Sequence, residues 1–335
     1  MKNRITIKDI ARELNVHHTT VSRALRNDSQ ISATTRKKII DFAKSHGYQV
    51  NMSALHLRGS VRNVLAVLVP NINHQFFSNI VSIITDLAYQ DGFIVSVFQS
   101  NENYKLEKEI INLLIRNNVA GVMASVSMET TSFEHFSMLK EYQIPLVFFD
   151  RVCRDINVPR VVVNNREIVE ESVDLLVRKG YKNIAHLSGT EKLNVFRERQ
   201  EGYTAAIQRH KLSYRKIYVI DHAFSAEDGE RAIDFLFSAA EKPDAIICDS
   251  HNLMMGTVKK IRKMNLNIPD KVGIITFGEN ATAEIIEPGI SSIVQPVEEM
   301  AHYTYKELQK QINGNMYGGN DEIIVNARII VRKSL

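Results

Sequence analysis

The sequence predicts two structural classes in one chain: an all-α helix-turn-helix head, followed by an α/β body made of two parallel-sheet subdomains. Three observations predict this. The chain has 335 residues, more than one core of roughly 150 residues accommodates. Its charge is uneven: residues 1–60 hold 11 Lys/Arg against four Asp/Glu, a net +7, while the remainder carries −3. Hydrophobic residues recur with helical spacing in the head, and then short β-branched runs alternate with amphipathic stretches. The composition, 44% hydrophobic and 24% charged, is that of a globular protein and excludes a disordered or collagen-like chain.

In the head, Thr6-Ile7-Lys8-Asp9 fits a capping box. Ile7, Ile10, Ala11 and Leu14 then share one helical face. Asn15-Val16 breaks the pattern, and a second helix is expected over His18–Arg26, with Val21, Ala24 and Leu25 inward. Ser32 caps a third over Ala33–Ser45, closed by Gly47. His18, Thr19, Ser22 and Arg23 form a polar edge on the second helix. Such an edge suits a major groove, where arginine bonds guanine O6 and N7 in bidentate fashion. The basic head therefore points to a polyanion.

In the body, strands are expected at Val64–Val69, Phe93–Phe98, Gly121–Ala124, Pro145–Phe149, Val161–Val163, Asn183–Leu187, Lys216–Ile220, Ala245–Cys248, Val272–Phe277 and Ser291–Val294. The intervening helices are Phe76–Gln90, Tyr104–Asn117, Asn165–Lys179, Phe196–His210, Ala226–Ala240 and Leu253–Met264. Continuously apolar strands separated by helices imply parallel sheets covered on both faces. Ten strands suit two subdomains, with a ligand at the carboxyl ends of the strands. Cys153 and Cys248 lie far apart without a CxxC pair, and free thiols are expected.

TIKDIARELNVHHTTVSRALRN closely resembles the head of the LacI/GalR family of bacterial repressors. The likeness continues through ISATTRKKIIDFAKSHGYQVN, NMSALHLRG, VLVPNINHQFFSNIV, IPLVFFDR, GYKNIAHLSG, FRERQEGYTAAI, PGISSIVQPVEEM and IIVRKSL, and so spans essentially the whole chain. The resemblance implies a DNA-binding head at 1–48, a hinge helix and linker at 49–61, and a periplasmic-binding-protein-like body at 62–335. Within the body it implies an N-subdomain of about 62–160 and 292–321 and a C-subdomain of about 161–291 and 322–335.

It further implies base readout by His18, Thr19 and Arg23, and phosphate contacts from Thr6, Thr20, Ser22, Arg26 and Ser32. Leu57 would be a minor-groove wedge, with Ala54 letting two hinge helices approach. An effector, a sugar or sugar acid, would bind Phe76, Phe77, Asp150, Arg199, Phe224, Ser250, His251 and Glu279. The partners implied are double-stranded operator DNA, a small-molecule effector and a second copy of the chain. No cofactor, metal or membrane is implied. Only Lys333, Ser334 and Leu335 follow Arg332, too few for a heptad, so a dimer is expected.

Three departures stand out. His17 occupies a position usually Ser or Thr in the family. Ser250-His251 replaces the common Asn-Asp. Gly278 stands where the family pattern G-[YF]-D-[DN] has aspartate; His251, Glu279 or Asn280 would compensate, and the lost charge beside Arg199 would suit an anionic effector. No GxSxG, GxGxxG, Walker A, HExxH or CxxC motif occurs, which argues against an enzyme. A periplasmic solute-binding protein would need a signal peptide and no basic head. The N-terminus has no apolar core of that kind, and a cytoplasmic location is expected.

Overall fold

A computed structural model describes residues 5–25, 28, 30–48, 62–212, 218–221, 224–278, 281–314 and 321–335. The expectations for Arg26, Ala54, Leu57 and Glu279, and for the hinge helix, lie outside these residues. The chain divides into two compact units, Met1–Arg62 and Asn63–Leu335.

In the first unit, α1 (Ile7–Glu13), α2 (His18–Leu25) and α3 (Ala33–Ser45) enclose a small core of Ile10, Ala11, Val21, Ala24, Ile39 and Ala43. The Thr6–Asp9 capping box is present. Asn15, at φ +50°, makes the sharp turn between α1 and α2, and Gly47, at φ +64°, follows α3.

In the second unit, the described residues form two six-stranded sheets. The first has the order β11-β5-β4-β3-β1-β2 and is parallel throughout. Its strands are β1 (Val64–Val69), β2 (Ile94–Gln99), β3 (Gly121–Ala124), β4 (Leu146–Phe149), β5 (Arg160–Val163) and β11 (Glu322–Val325). The second has the order β12-β10-β9-β8-β6-β7, from β6 (Ile184–Leu187), β7 (Val219–Ile220), β8 (Ala245–Cys248), β9 (Gly273–Phe277), β10 (Ser291–Val294) and β12 (Arg328–Ile330). Here only the β10–β12 edge pair is antiparallel among the described strands. The central strands are buried along their length, as two-sided coverage by helices requires.

Helices α4 (Gln75–Gln90), α5 (Tyr104–Arg116) and α6 (Glu134–Glu141) accompany the first sheet; α7 (Asn165–Arg178), α8 (Asn194–Arg209), α9 (Ala226–Ser238), α10 (His251–Lys263) and the short α11 (Ala281–Ile285) accompany the second. Helix α12 (Val297–Ile312) returns to pack on β3, β4 and β5.

The sheets correct the expected subdomain limits. All of β5 and β11 belong to the first sheet and all of β10 to the second, so the chain crosses after residues 163, 294 and 325, a few residues beyond each expected boundary. The cause is pairing: β5 and β11 run side by side in register, Arg160↔Glu322 to Val163↔Val325, and both leave the sheet at their carboxyl ends. Asn164 ties those two crossings together, since its Oδ1 accepts from Ala327 N at 2.8 Å.

Candidate functional site

In the head, Val21 and Ala24 anchor α2 in the core, which leaves Thr19 and Arg23 exposed and His18 and Thr20 half-buried. Ser22 departs from the expected polar edge. It is 8% exposed, because it lies beside Val21 on the side of the helix packed against its neighbours. His17 does the work of a cap: its Nδ1 accepts from Thr19 N at 3.4 Å and bonds Thr19 Oγ1 at 2.8 Å. Arg23 Nη1 donates to Gln30 Oε1 at 3.0 Å, which steadies the guanidinium at the surface. Thr6 and Ser32 are exposed caps of α1 and α3; Ser32 Oγ accepts from Thr35 N at 3.2 Å.

In the body, one cavity of about 520 Å³ opens at the carboxyl ends of both sheets. Phe76, Phe77, Asp150, Arg199, Phe224, Ser250 and His251, drawn from five separate segments, all line it. Phe76 and Phe77 open α4 and meet edge to face, with ring centroids 5.2 Å apart. Phe77 doubles as core, at 3% exposure. Phe224 meets Phe196 in the same manner at 5.8 Å.

Asp150 directly follows β4 with φ +59°, a left-handed conformation that costs a non-glycine residue about 1–2 kcal/mol. The turn aims it into the cavity, and Asn194 Nδ2 holds its carbonyl at 3.1 Å. Burial pushes its carboxyl above the usual value, against the pull of Arg151 and Arg199.

Arg199 is 4% exposed and fixed on three sides. Nε donates to Asn165 Oδ1 at 2.9 Å, Nη1 donates to the Asp249 carbonyl at 3.1 Å, and Cζ lies 3.5 Å from the Phe277 ring centroid. Ser250 caps α10 by accepting from Leu253 N. His251 Nδ1 is buried with no hydrogen-bond partner among the described residues, and burial lowers the imidazole pKa.

Sequence reasoning missed the partners of the two arginines. Arg151 Nη1 reaches both oxygens of Glu102 at 2.8 Å. The Asp249 carboxylate lies 4.0 Å from Arg199 Nη1, with His186 Nε2 at 3.0 Å from Oδ1 and Ser188 Oγ donating to Oδ2 at 2.6 Å. Burial opposes that charge, but His186 and Arg199 outweigh it and hold the carboxyl below its ordinary value. The charge expected to be missing at Gly278 is thus present one strand away: β8 pairs with β9 through Cys248↔Thr276, which brings Asp249 beside Phe277.

Residues 62–330 match the family model for periplasmic binding proteins and the sugar binding domain of the LacI family, and residues 6–51 match that for bacterial regulatory proteins of the lacI family. The chain belongs to the LacI family. Catabolite control protein A of Priestia megaterium is 27% identical over 92% of this chain and 93% of its own length. The HTH-type transcriptional repressor CytR of Escherichia coli (strain K12) is 25% identical over 98% and 96%. Among solved structures, the Lac repressor dimer bound to operator and the anti-inducer ONPF aligns with a TM-score of 0.86 at 19% identity, over 99% of each chain. The CelR–cellobiose complex aligns at 0.74 and 22% identity, over 99% of this chain and 100% of the other. Like its LacI-family relatives, the chain is a DNA-binding transcriptional regulator and not an enzyme. Among the described residues no helix is long and apolar enough to cross a membrane.

Proposed function

We propose that this LacI-family member is a repressor that binds an approximately palindromic operator as a homodimer and is switched by a sugar or sugar acid in the cleft of its body. The observation that carries the reading is the convergence of seven expected residues, distant in sequence, on one cavity whose size suits a small ligand. The head at 1–48 supplies base readout through His18, Thr19 and Arg23. Thr6, Thr20, Arg26 and Ser32 meet phosphates, and Ser22 does so only through a hydroxyl at the margin of the core. The hinge at 49–61 sets Leu57 into the minor groove, with Ala54 at the crossing of two hinge helices. Two solved relatives support the dimer on DNA and the sugar-type effector: one is a repressor dimer on its operator, and another holds cellobiose.

Selection of operators from random duplexes with the full-length protein tests the reading. The expected result is an inverted repeat, because a two-fold dimer presents two heads to inverted half-sites. Affinity should fall about 10³–10⁵-fold between 50 and 200 mM salt, as on the order of ten phosphate contacts require. A direct repeat, or nearly salt-independent binding, overturns it.

A further inference from the structure

Two arginines line the cleft, and taken alone they describe a site for an anion. Their partners reverse that conclusion. The Arg151 guanidinium is spent on Glu102, whose two oxygens it contacts at 2.8 Å. Arg199 lies 4.0 Å from the Asp249 carboxylate, close enough at low dielectric for the charges to offset one another. Asp249 cannot swing away. Strands β6 and β8 pair through Leu187↔Cys248, so the residues that follow, Ser188 and Asp249, emerge side by side. Ser188 Oγ then holds one carboxylate oxygen at 2.6 Å while His186 Nε2 holds the other at 3.0 Å.

Among the described residues of the lining, Asp150 is then the carboxyl group without an ion pair, since Glu102 is held by Arg151 and Asp249 by Arg199 and His186. Asp150 lines the cavity, and no described group donates a hydrogen bond to its carboxylate. The histidines do not restore positive charge, because burial disfavours the charged forms of both His74 and His251. Among the described residues, an acid entering the cleft would therefore meet an unpaired carboxyl group and no cation without a carboxylate partner. A neutral polyol fits the same groups: its hydroxyls donate to Asp150 and accept from Arg199 Nη2, for which no protein acceptor is found among the described residues.

We propose that Asp249, acting through Arg199, is the specificity-determining residue that makes the cleft select an uncharged polyhydroxy effector over its acid counterpart. Asp249 is a positioning residue: it holds and neutralises the guanidinium, and the effector reads the result. The inference rests on the proposed effector site and narrows it.

The test is calorimetry on the full-length protein with matched probes: glucose with glucuronate and gluconate, galactose with galacturonate, ribose with ribose 5-phosphate, and cellobiose with cellobionate. In the set that binds, the neutral member should bind at least about tenfold more tightly. Asp249→Asn keeps the shape and removes the charge, and should raise the acid-to-neutral affinity ratio roughly tenfold. Ser188→Ala keeps the charge but loosens its hold beside Arg199, and should move the ratio in the same direction by a smaller factor. General loosening of the site would lower both affinities together without moving the ratio. If Asp249→Asn does not fold, the preference of the unaltered protein still decides. An acid member that binds as well as its neutral partner overturns the role of Asp249 and leaves a sugar-type effector standing. Silence across the whole set overturns the sugar reading itself, and this inference with it.

Discussion

Arg23 and Arg199 show how one residue type serves two surfaces. Arg23 is exposed and held at its tip by Gln30, so it can exchange that amide for a base edge at small cost. Arg23→Ala should remove about 1–3 kcal/mol of discrimination at one symmetric base pair of each half-site. Competition binding against single-base operator variants checks this, and an equal loss on specific and random DNA would contradict it. Buried histidines give a second expectation. His74 is held below the usual imidazole pKa of 6.5 by burial and by Arg151, and His251 by burial. The unfolded chain therefore binds more protons than the folded one below about pH 6.5, and stability falls as the pH drops through that region. Thermal melts from pH 7.5 to 5 should show this decline, and His74→Gln with His251→Gln should flatten it. Asp150 and Arg199 were legible in sequence because FFDR and FRERQEGY are continuous segments. Asp249 was not, since its role exists only where the ends of β6 and β8 meet.

Among the elements, the pair α9–α10 shows how backbone approach sets the site. Gly256 in α10 faces the carbonyl of Ala226 in α9, and a Cβ there would lie 1.8 Å from that oxygen. Gly229 faces the Leu253 carbonyl in the same way, at 2.5 Å. These glycines let the helices touch, and so fix the distance between Phe224, just before α9, and Ser250-His251, at the start of α10. Gly256→Ala must push the backbones apart and should cost about 1–3 kcal/mol. A thermal melt should show a clear drop, and effector affinity should fall with it; an unchanged melting temperature would mean that the helices are free to separate. The expected strands β1 to β10 and the six expected body helices agree with the sequence periodicity, whereas β11, β12, α6, α11 and α12 were not anticipated. Helix α12 carries Met300, Ala301, Thr304, Tyr305 and Leu308 inward, yet its many charged residues dilute the apolar face. The strands β11 and β12 are short and lie at sheet edges, so each leaves partly exposed residues that look like loop.

For the whole molecule, the proposed switch needs only a modest energy. The chain passes between the two sheets three times, and the cavity is lined from both, so an effector contacts both subdomains at once. Side chains also bridge them outside the cavity: Arg154, in the loop after β4, donates to Glu198 of α8 at 2.8 Å, and Asn194 of α8 accepts from Val152 N at 2.9 Å. A ligand that favours one arrangement of these contacts by 1.4 kcal/mol changes the coupled equilibrium tenfold. In the proposed reading that equilibrium includes the hinge, Asn51–Arg58, whose eight residues are too few for a stable isolated helix in water. Paired over the minor groove, two copies gain the packing that one lacks. Two substitutions should then separate the halves of the mechanism. Arg199→Ala should bind operator with the affinity of the unaltered protein and lose its response to the effector. Leu57→Ala should bind effector normally and lose much of its operator affinity, since the wedge that opens the base step is gone. Fluorescence anisotropy on labelled operator, with and without effector, reads both. If Arg199→Ala responds at the usual effector concentrations, the effector does not use this cleft; if Leu57→Ala binds operator unchanged, the hinge is a tether and not a switch.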